Sequence, residues 1–330
     1  MGDHDGSAAA AAKAAGAAAP ERYGRVTALL DATGTFFEPA RLAFPDARAA
    51  DWARAARIDP GAVGPGGSWR LDFRCFAIAR PGGRWVLVDA GVGPADGPAA
   101  GWAPVPGRLP EAMARARIAP AEVDTVVLTH LHEDHTGWSV DAAGEPLFPA
   151  ARYVVQRAEV AALDPADPVR RWAVDPLRAT GQLHEVEGRH RLGDGLTLLP
   201  TPGHTPGHQS VLVAAAGGRG QGRDVVVTGD VWVHAVQLAD PAVAYAHERD
   251  PAAARASRVD LLARAVGRGA LLATAHLTRA FVEPTADGSA GSDRAGGAVE
   301  RLSGEFQEAA EGEDEPSEAD EGGEVPVELR

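Results

Sequence analysis

Residues 129–137 read Thr-His-Leu-His-Glu-Asp-His-Thr-Gly, and no other stretch restricts the chain as strongly. Three imidazoles and two carboxylates fall within six residues. So many titratable groups are costly to fold together unless something satisfies them. A metal ion does this, because imidazole nitrogen and carboxylate oxygen suit zinc and similar borderline ions. The preceding run, Val123 to Thr129, is apolar and β-branched and reads as a buried strand. The histidines therefore sit where a strand runs out, a common position for sites in α/β proteins. His130 and His132 are two apart and can point the same way at a strand end, whereas Asp134 and His135 are adjacent and cannot unless the chain turns. Two pairs with different directions suggest two metal positions.

His130-x-His132-x-Asp134-His135 resembles the signature of the metallo-β-lactamase superfamily, and further motifs follow in that family's order. Val88-Asp89-Ala90-Gly91 resembles its strand-end aspartate motif. Thr201 to His208 resembles its second histidine motif, with His204 the ligand; Thr228-Gly229-Asp230 resembles the bridging aspartate; Ala275-His276 resembles the last histidine. The likeness runs from about residue 70 to about 280. It implies an α/β fold of the αβ/βα type, two mixed sheets face to face with helices outside and metals at one edge. It also implies two divalent ions, zinc first among them. His130, His132 and His204 would hold one, Asp134, His135 and His276 the other, and Asp230 would bridge. A hydroxide between the ions would attack a carbonyl carbon or a phosphorus, with Asp134 and Asp230 as the catalytic carboxylates. Asp89 would fix the orientation and tautomer of a ligand histidine.

Within that family the stretches at Asp134–Gly137, Gly203–Ser210 and Gln237–Pro241 most resemble quorum-quenching lactonases and methyl-parathion-hydrolase-like enzymes. Some such lactonases carry a tyrosine three residues after the bridging aspartate. Here that position is Val233, so His234 is the candidate to supply a proton or hydrogen bond to the developing oxyanion, with Tyr245 a second candidate. Trp138 and Trp232 adjoin metal motifs and are expected to wall an apolar pocket, with Trp69 and Trp102 as further tryptophans. No Lys/Arg cluster adjoins the motifs, which favours a lactone or carboxylic ester over an anionic substrate. The alternatives of the same fold are a phosphotriesterase, a glyoxalase-II-like thioesterase and a β-lactamase. A redox di-iron protein would carry a carboxylate where His132 stands, and a non-catalytic metal protein has no need of seven intact ligands.

The rest of the chain organises around these motifs. Residues 1–20 are an Ala-rich leader expected to be disordered, 21–282 the catalytic domain, and 283–330 an acidic tail. Residues 303–330 carry −10 of the net charge of −14, so the body is nearly balanced and offers no nucleic-acid surface. Cys75 is the single cysteine, which rules out an intrachain disulfide; it reads as a small core residue. No run is long and apolar enough for a membrane span, and Asp3 and Asp5 stand where a signal peptide wants positive charge. The expected setting is cytoplasmic, with a small-molecule substrate, no nucleic acid, no membrane, and a homodimer left open.

The expected elements are a first strand at Val26–Leu30, a short helix within Ala47–Arg57, and a hairpin from Trp69 to Asp89 about Pro81-Gly82-Gly83. A helix follows at Leu109–Arg117, then strands near residues 151–155, 183–187, 196–199, 210–213, 223–228 and 270–275. Gly218–Gly222 reads as a hairpin turn, and His184 and His190 as surface residues. Asp250 should cap a helix with Pro251 at its first position and Gly267 as its stop.

Overall fold

The computed structural model describes residues 20–141, 143–215 and 222–284. The expectations for the leader, the 218–222 turn and nearly all of the acidic tail lie outside those residues.

Two sheets carry the fold. The first runs in the order β1 (Arg22–Tyr23), β2 (Val26–Thr35), β3 (Arg70–Ala79), β4 (Trp85–Val88), β5 (Val123–Val127), β6 (Arg152–Gln156) and β7 (Leu183–Val186). Its first four strands pair antiparallel, and β4 to β7 are parallel. The second sheet runs β13 (Phe281–Val282), β12 (Leu271–Ala273), β11 (Val225–Val227), β10 (Gln209–Val213), β9 (Leu196–Pro200), β8 (His190–Gly193). It is antiparallel except where β11 lies parallel to β12. Both sheets are therefore mixed.

Alternation of side chains decides what each face meets. Phe76, Ile78, Val86, Val88 and Val127 of the first sheet pack with Leu198, Val211, Val213, Val225 and Val227 of the second, which forms the buried middle of the sandwich. The outer face of the first sheet packs on helices. Cys75, Leu87, Val126 and Tyr153 meet Leu109 and Met113 of α3 (Leu109–Arg115) and Val160 of α5 (Arg157–Ala162). The outer face of the second sheet, with Val226 and Leu272, meets Leu261 and Ala265 of α8 (Pro251–Arg268). Between β2 and β3 come α1 (Ala40–Ala43) and α2 (Ala49–Ile58), and α2 lies beside α7 (Ala235–Ala239). The short α4 (Glu133–Thr136) follows β5, and α6 (Asp175–Ala179) precedes β7.

The helix at Asp250 corrects one expectation. Asp250 accepts from the N–H groups of Ala252 and Ala253, as a cap should. The helix then passes through Gly267 and stops at Gly269, whose φ of +61° forms the left-handed cap. Among the described residues no helix is long and apolar enough to cross a membrane.

Candidate metal centre

Five connections deliver the polar residues to one edge of the sandwich. Asp89 follows β4, the 130–135 motif follows β5, His204 lies between β9 and β10, Asp230 follows β11 and His276 follows β12. Strand β5 ends at Val127, so His130 and His132 stand on a loop rather than on the strand itself. His132 then acts as the N-cap position of α4, and that turn sends Asp134 and His135 to a second side of the cluster.

All seven expected ligands come together. His132 Nδ1 lies 3.0 Å from His130 Nε2 and 3.0 Å from His204 Nε2. On the other side His135 Nε2 is 3.4 Å, and His276 Nε2 3.5 Å, from an oxygen of Asp134. Asp230 spans the two groups. Its Oδ2 is 3.4 Å from His204 Nε2, 3.9 Å from His130 Nε2 and 3.2 Å from His276 Nε2, while its Oδ1 is 3.3 Å from His135 Nε2 and 3.1 Å from His276 Nε2. Donors that share one tetrahedral ion at 2.0–2.1 Å sit roughly 3.4 Å apart, which matches these spacings.

The hydrogen bonds behind the rings set which nitrogen faces inward. His135 Nδ1 lies 2.9 Å from Asp89 Oδ2, and the Thr129 N–H donates to Asp89 Oδ1 at 2.8 Å. Asp89 keeps this place at φ +62°, an uncommon backbone for a non-glycine residue. His276 Nδ1 donates to the Asp72 carbonyl at 2.9 Å, and His130 Nδ1 to Thr129 Oγ1 at 3.0 Å. Each of these rings is thus left with Nε2 turned toward Asp230. His208 is buried beside them rather than among them. Its Nε2 accepts from the Asp230 N–H at 2.9 Å, and a Cβ on Gly229 would stand 2.6 Å from that nitrogen.

Burial and charge work against each other in this cluster. Burial disfavours the charged form of every group. For His130 and His204 it prevails and lowers the pKa. For His135 the carboxylates of Asp134, Asp230 and Asp89 outweigh burial and raise it. Burial likewise opposes ionisation of Asp230, but His276 and His135 hold it well below the usual carboxylate range. His135 Nε2 and Asp230 Oδ1, both facing the cluster, are buried without a hydrogen-bond partner. Such atoms are expensive unless a ligand pairs with them, and the donor set is one that divalent zinc-like ions take. The residues fit two such ions.

Above the cluster lies a cavity of about 260 Å³ whose apolar wall includes Phe36, Phe37, Trp69, Leu71, Trp102 and Tyr245. The Tyr245 ring lies nearly parallel to that of His204, 6.0 Å between centroids. Among the described residues no lysine or arginine lines it. Trp102 Nε1 donates to Glu133 Oε2 at 2.5 Å, and His247 Nε2 lies 2.6 Å from Glu38 Oε1 at the rim.

Three expectations fail here. Trp138 and Trp232 do not wall the cavity. Trp138 donates from Nε1 to Asp31 and packs below the first sheet, and Trp232 is fully buried in the core. His234 does not face the cluster. Its Nδ1 accepts the Val236 N–H at 3.0 Å, capping α7, and its ring packs on Phe44, Trp52 and Trp69. The walls come instead from the Phe36-Phe37 loop and from Trp69 and Trp102, far from the motifs in sequence. No local pattern marks them, because they come together only when the β2–β3 and β4–β5 connections fold over the cluster.

A sandwich of two mixed sheets with helices outside, and a histidine–carboxylate cluster where strands of both sheets end, defines the αβ/βα metal-binding class. Residues 74–276 match the profile of the metallo-β-lactamase superfamily, and the chain belongs to that superfamily. An N-acyl homoserine lactonase from a Bacillus species is 32% identical over 106 residues, 32% of this chain and 39% of that relative. The lactonase AttM of Azorhizobium caulinodans is 33% identical over 178 residues, 46% of this chain and 62% of its own length. These alignments therefore cover only part of the relatives. The crystal structure of the hydrolase AbOPH, in the β-lactamase superfamily, superposes with a TM-score of 0.67 at 26% identity, covering 82% of this chain and 94% of that one.

Proposed function

We propose that the protein is a hydrolase that uses two divalent metal ions, zinc first among the candidates, to open a lactone or cleave a carboxylic ester. The observation that carries this reading is Asp230, whose carboxylate lies between His204 on one side and His135 and His276 on the other, at the floor of an aromatic-walled cavity. Two bound ions would lower the pKa of a water and polarise the substrate carbonyl. The chain's own residues do the remaining work. Asp89 and the Asp72 carbonyl hold the protons of His135 and His276 on Nδ1, away from the centre. Asp134 lines the cavity and can take and return a proton at a carboxylate oxygen. Phe36, Trp69 and Trp102 exclude water from an acyl or ring substrate. Among the described residues the wall offers an anionic substrate no lysine or arginine. The partial likeness to N-acyl homoserine lactonases supports the lactone side of the reading.

The test is a hydrolysis panel on zinc-loaded protein: acyl-homoserine lactones, simple lactones, aryl esters, phosphotriesters, thioesters and a β-lactam. A lactone or ester should give the highest kcat/KM. Faster turnover of a phosphotriester, thioester or β-lactam than of every lactone and ester would reject the substrate class and leave the metal centre standing.

A further inference from the structure

The two loops that carry His130, His132 and His204 belong to different sheets, yet their ring nitrogens meet at 3.0 Å. Something must hold the loops at that separation. Glu159 stands between them, on α5 and only 4% exposed. Its Oε1 accepts the Leu131 N–H at 3.0 Å, and Leu131 lies between His130 and His132. Its Oε2 accepts the Gly207 N–H at 2.8 Å, in the loop that carries His204. The fit extends to the backbone, since a Cβ on Gly207 would stand 2.3 Å from the Glu159 nitrogen. We infer that Glu159 is a positioning residue, which spaces the two loops so that His130, His132 and His204 close on one ion.

A carboxylate is the side chain this place requires. It presents two acceptors to two buried donors and ties the loops through charge-assisted hydrogen bonds. Glutamine has one acceptor oxygen and would set its NH2 against the other N–H. Alanine would leave both N–H groups buried and unpaired. The other ligand group, Asp134, His135 and His276, is held from different points, Asp89 and the Asp72 carbonyl. Loss of Glu159 should therefore act on one ion and spare the other.

The inference rests on the two-ion reading above, so the experiment measures both. Wild type, Glu159→Gln and Glu159→Asp are titrated with Co2+, following the visible absorption of the bound metal, and the two dissociation constants are obtained by chelator competition. Met113→Ala, a core truncation in α3, reports what destabilisation alone does. Glu159→Gln should weaken one site about 10- to 100-fold, the range for groups that orient metal ligands, alter the absorption band, and leave the other site within about threefold. Met113→Ala should lower Tm without moving either constant. Wild-type constants in Glu159→Gln, or both constants falling together in proportion to Tm, would overturn the positioning role. If Glu159→Gln does not fold, Glu159→Asp, one methylene short of spanning both loops, is judged by the same criterion. Uptake of a single ion by wild type would reject the two-ion reading, and Glu159 would then stand or fall on that one constant.

Discussion

Two buried places in this molecule hold imidazoles, and they use them in opposite ways. In the metal centre His135 and His276 are 2% and 6% exposed, and under α7 His234 is 4% exposed. Burial alone opposes charge on all three. In the centre, carboxylates outweigh burial and raise the pKa of His135 and His276. Around His234 the neighbours are the rings of Phe44, Trp52 and Trp69, and burial lowers its pKa to about 4. The hydrogen bonds differ as much. His135 and His276 give Nδ1 to a protein oxygen and turn Nε2 to the cluster, while His234 spends Nδ1 on its own helix cap. Burial therefore does not identify a ligand; for His135 and His276 the partner of the other ring nitrogen does.

The largest test removes the charge at the heart of the first region. Asp230→Asn keeps the shape but leaves a neutral amide between the two imidazole groups. We expect turnover to fall by about a thousandfold, several kcal/mol of lost stabilisation, with metal content dropping toward one ion or none by elemental analysis. Retention of both ions and of a tenth of the turnover would remove Asp230 from the bridge.

Next in size is a stability effect from the second region. His234 titrates at about 4 when folded against an ordinary 6.5, so between these values the unfolded chain binds more protons. Its contribution is present above pH 6.5 and is lost as pH falls toward 4. Asp31, pushed up to about 6 by burial, acts with the opposite sign over much the same window, and His208, lowered to about 4 by burial, acts with the same sign, so wild type alone does not isolate the effect. The difference between wild type and His234→Asn isolates it, because asparagine can still cap the helix. Wild type should lose about 3 kcal/mol relative to the variant between pH 7 and pH 4, by denaturant titration. A difference independent of pH would show that His234 is not held neutral by its aromatic box.

A third test separates the two halves of the centre. Asp89→Asn would set an NH2 against His135 Nδ1–H and favour the tautomer with its proton on Nε2. The ion of Asp134, His135 and His276 should weaken about 10- to 100-fold, measured by chelator competition. Asp89 Oδ2 also accepts from Thr129 Oγ1, which in turn accepts from His130 Nδ1, so the ion of His130, His132 and His204 should weaken less, by no more than about threefold. Equal weakening of both would mean that Asp89 supports the whole edge rather than one ring.

Much of this was readable in the chain before folding. The β-branched runs before Thr129 and Thr228 mark strands, and short polar motifs at their ends place the ligands, because strand direction and ligand position are local properties. What could not be read depends on side-chain direction after long-range packing. Trp138 and Trp232 adjoin motifs yet turn into the core, whereas Trp69 and Trp102 reach the cavity from elements far away. Glu159 carries no sequence signal, since its partners Leu131 and Gly207 lie 28 and 48 residues away. Helix α6 carries only a weak one: Pro176 falls in its first turn, where proline is tolerated, but a wide helical turn at Arg170–Val174 already precedes it. Gly267 looks like a stop, but the left-handed turn comes two residues later, at Gly269.

The smallest expected effect is the most discriminating. In sequence, His234 stands four residues past Asp230 and is well placed to serve as a proton donor. In the structure its Nδ1 is already an acceptor for Val236 N–H, and three aromatic rings surround the imidazole. Its low pKa also leaves it uncharged at neutral pH, a poor proton donor there. Its ring packs on Trp69, which lines the cavity. His234→Asn preserves the cap and should leave kcat within about twofold of wild type on the best substrate of the panel, the scale of a change of about 0.5 kcal/mol. Tyr245→Phe, in the cavity wall, is the comparison, since Tyr245 lines the cavity and His234 does not. A tenfold loss of kcat in His234→Asn at unchanged metal content and Tm would return His234 to the reaction and erase the distinction between the two regions.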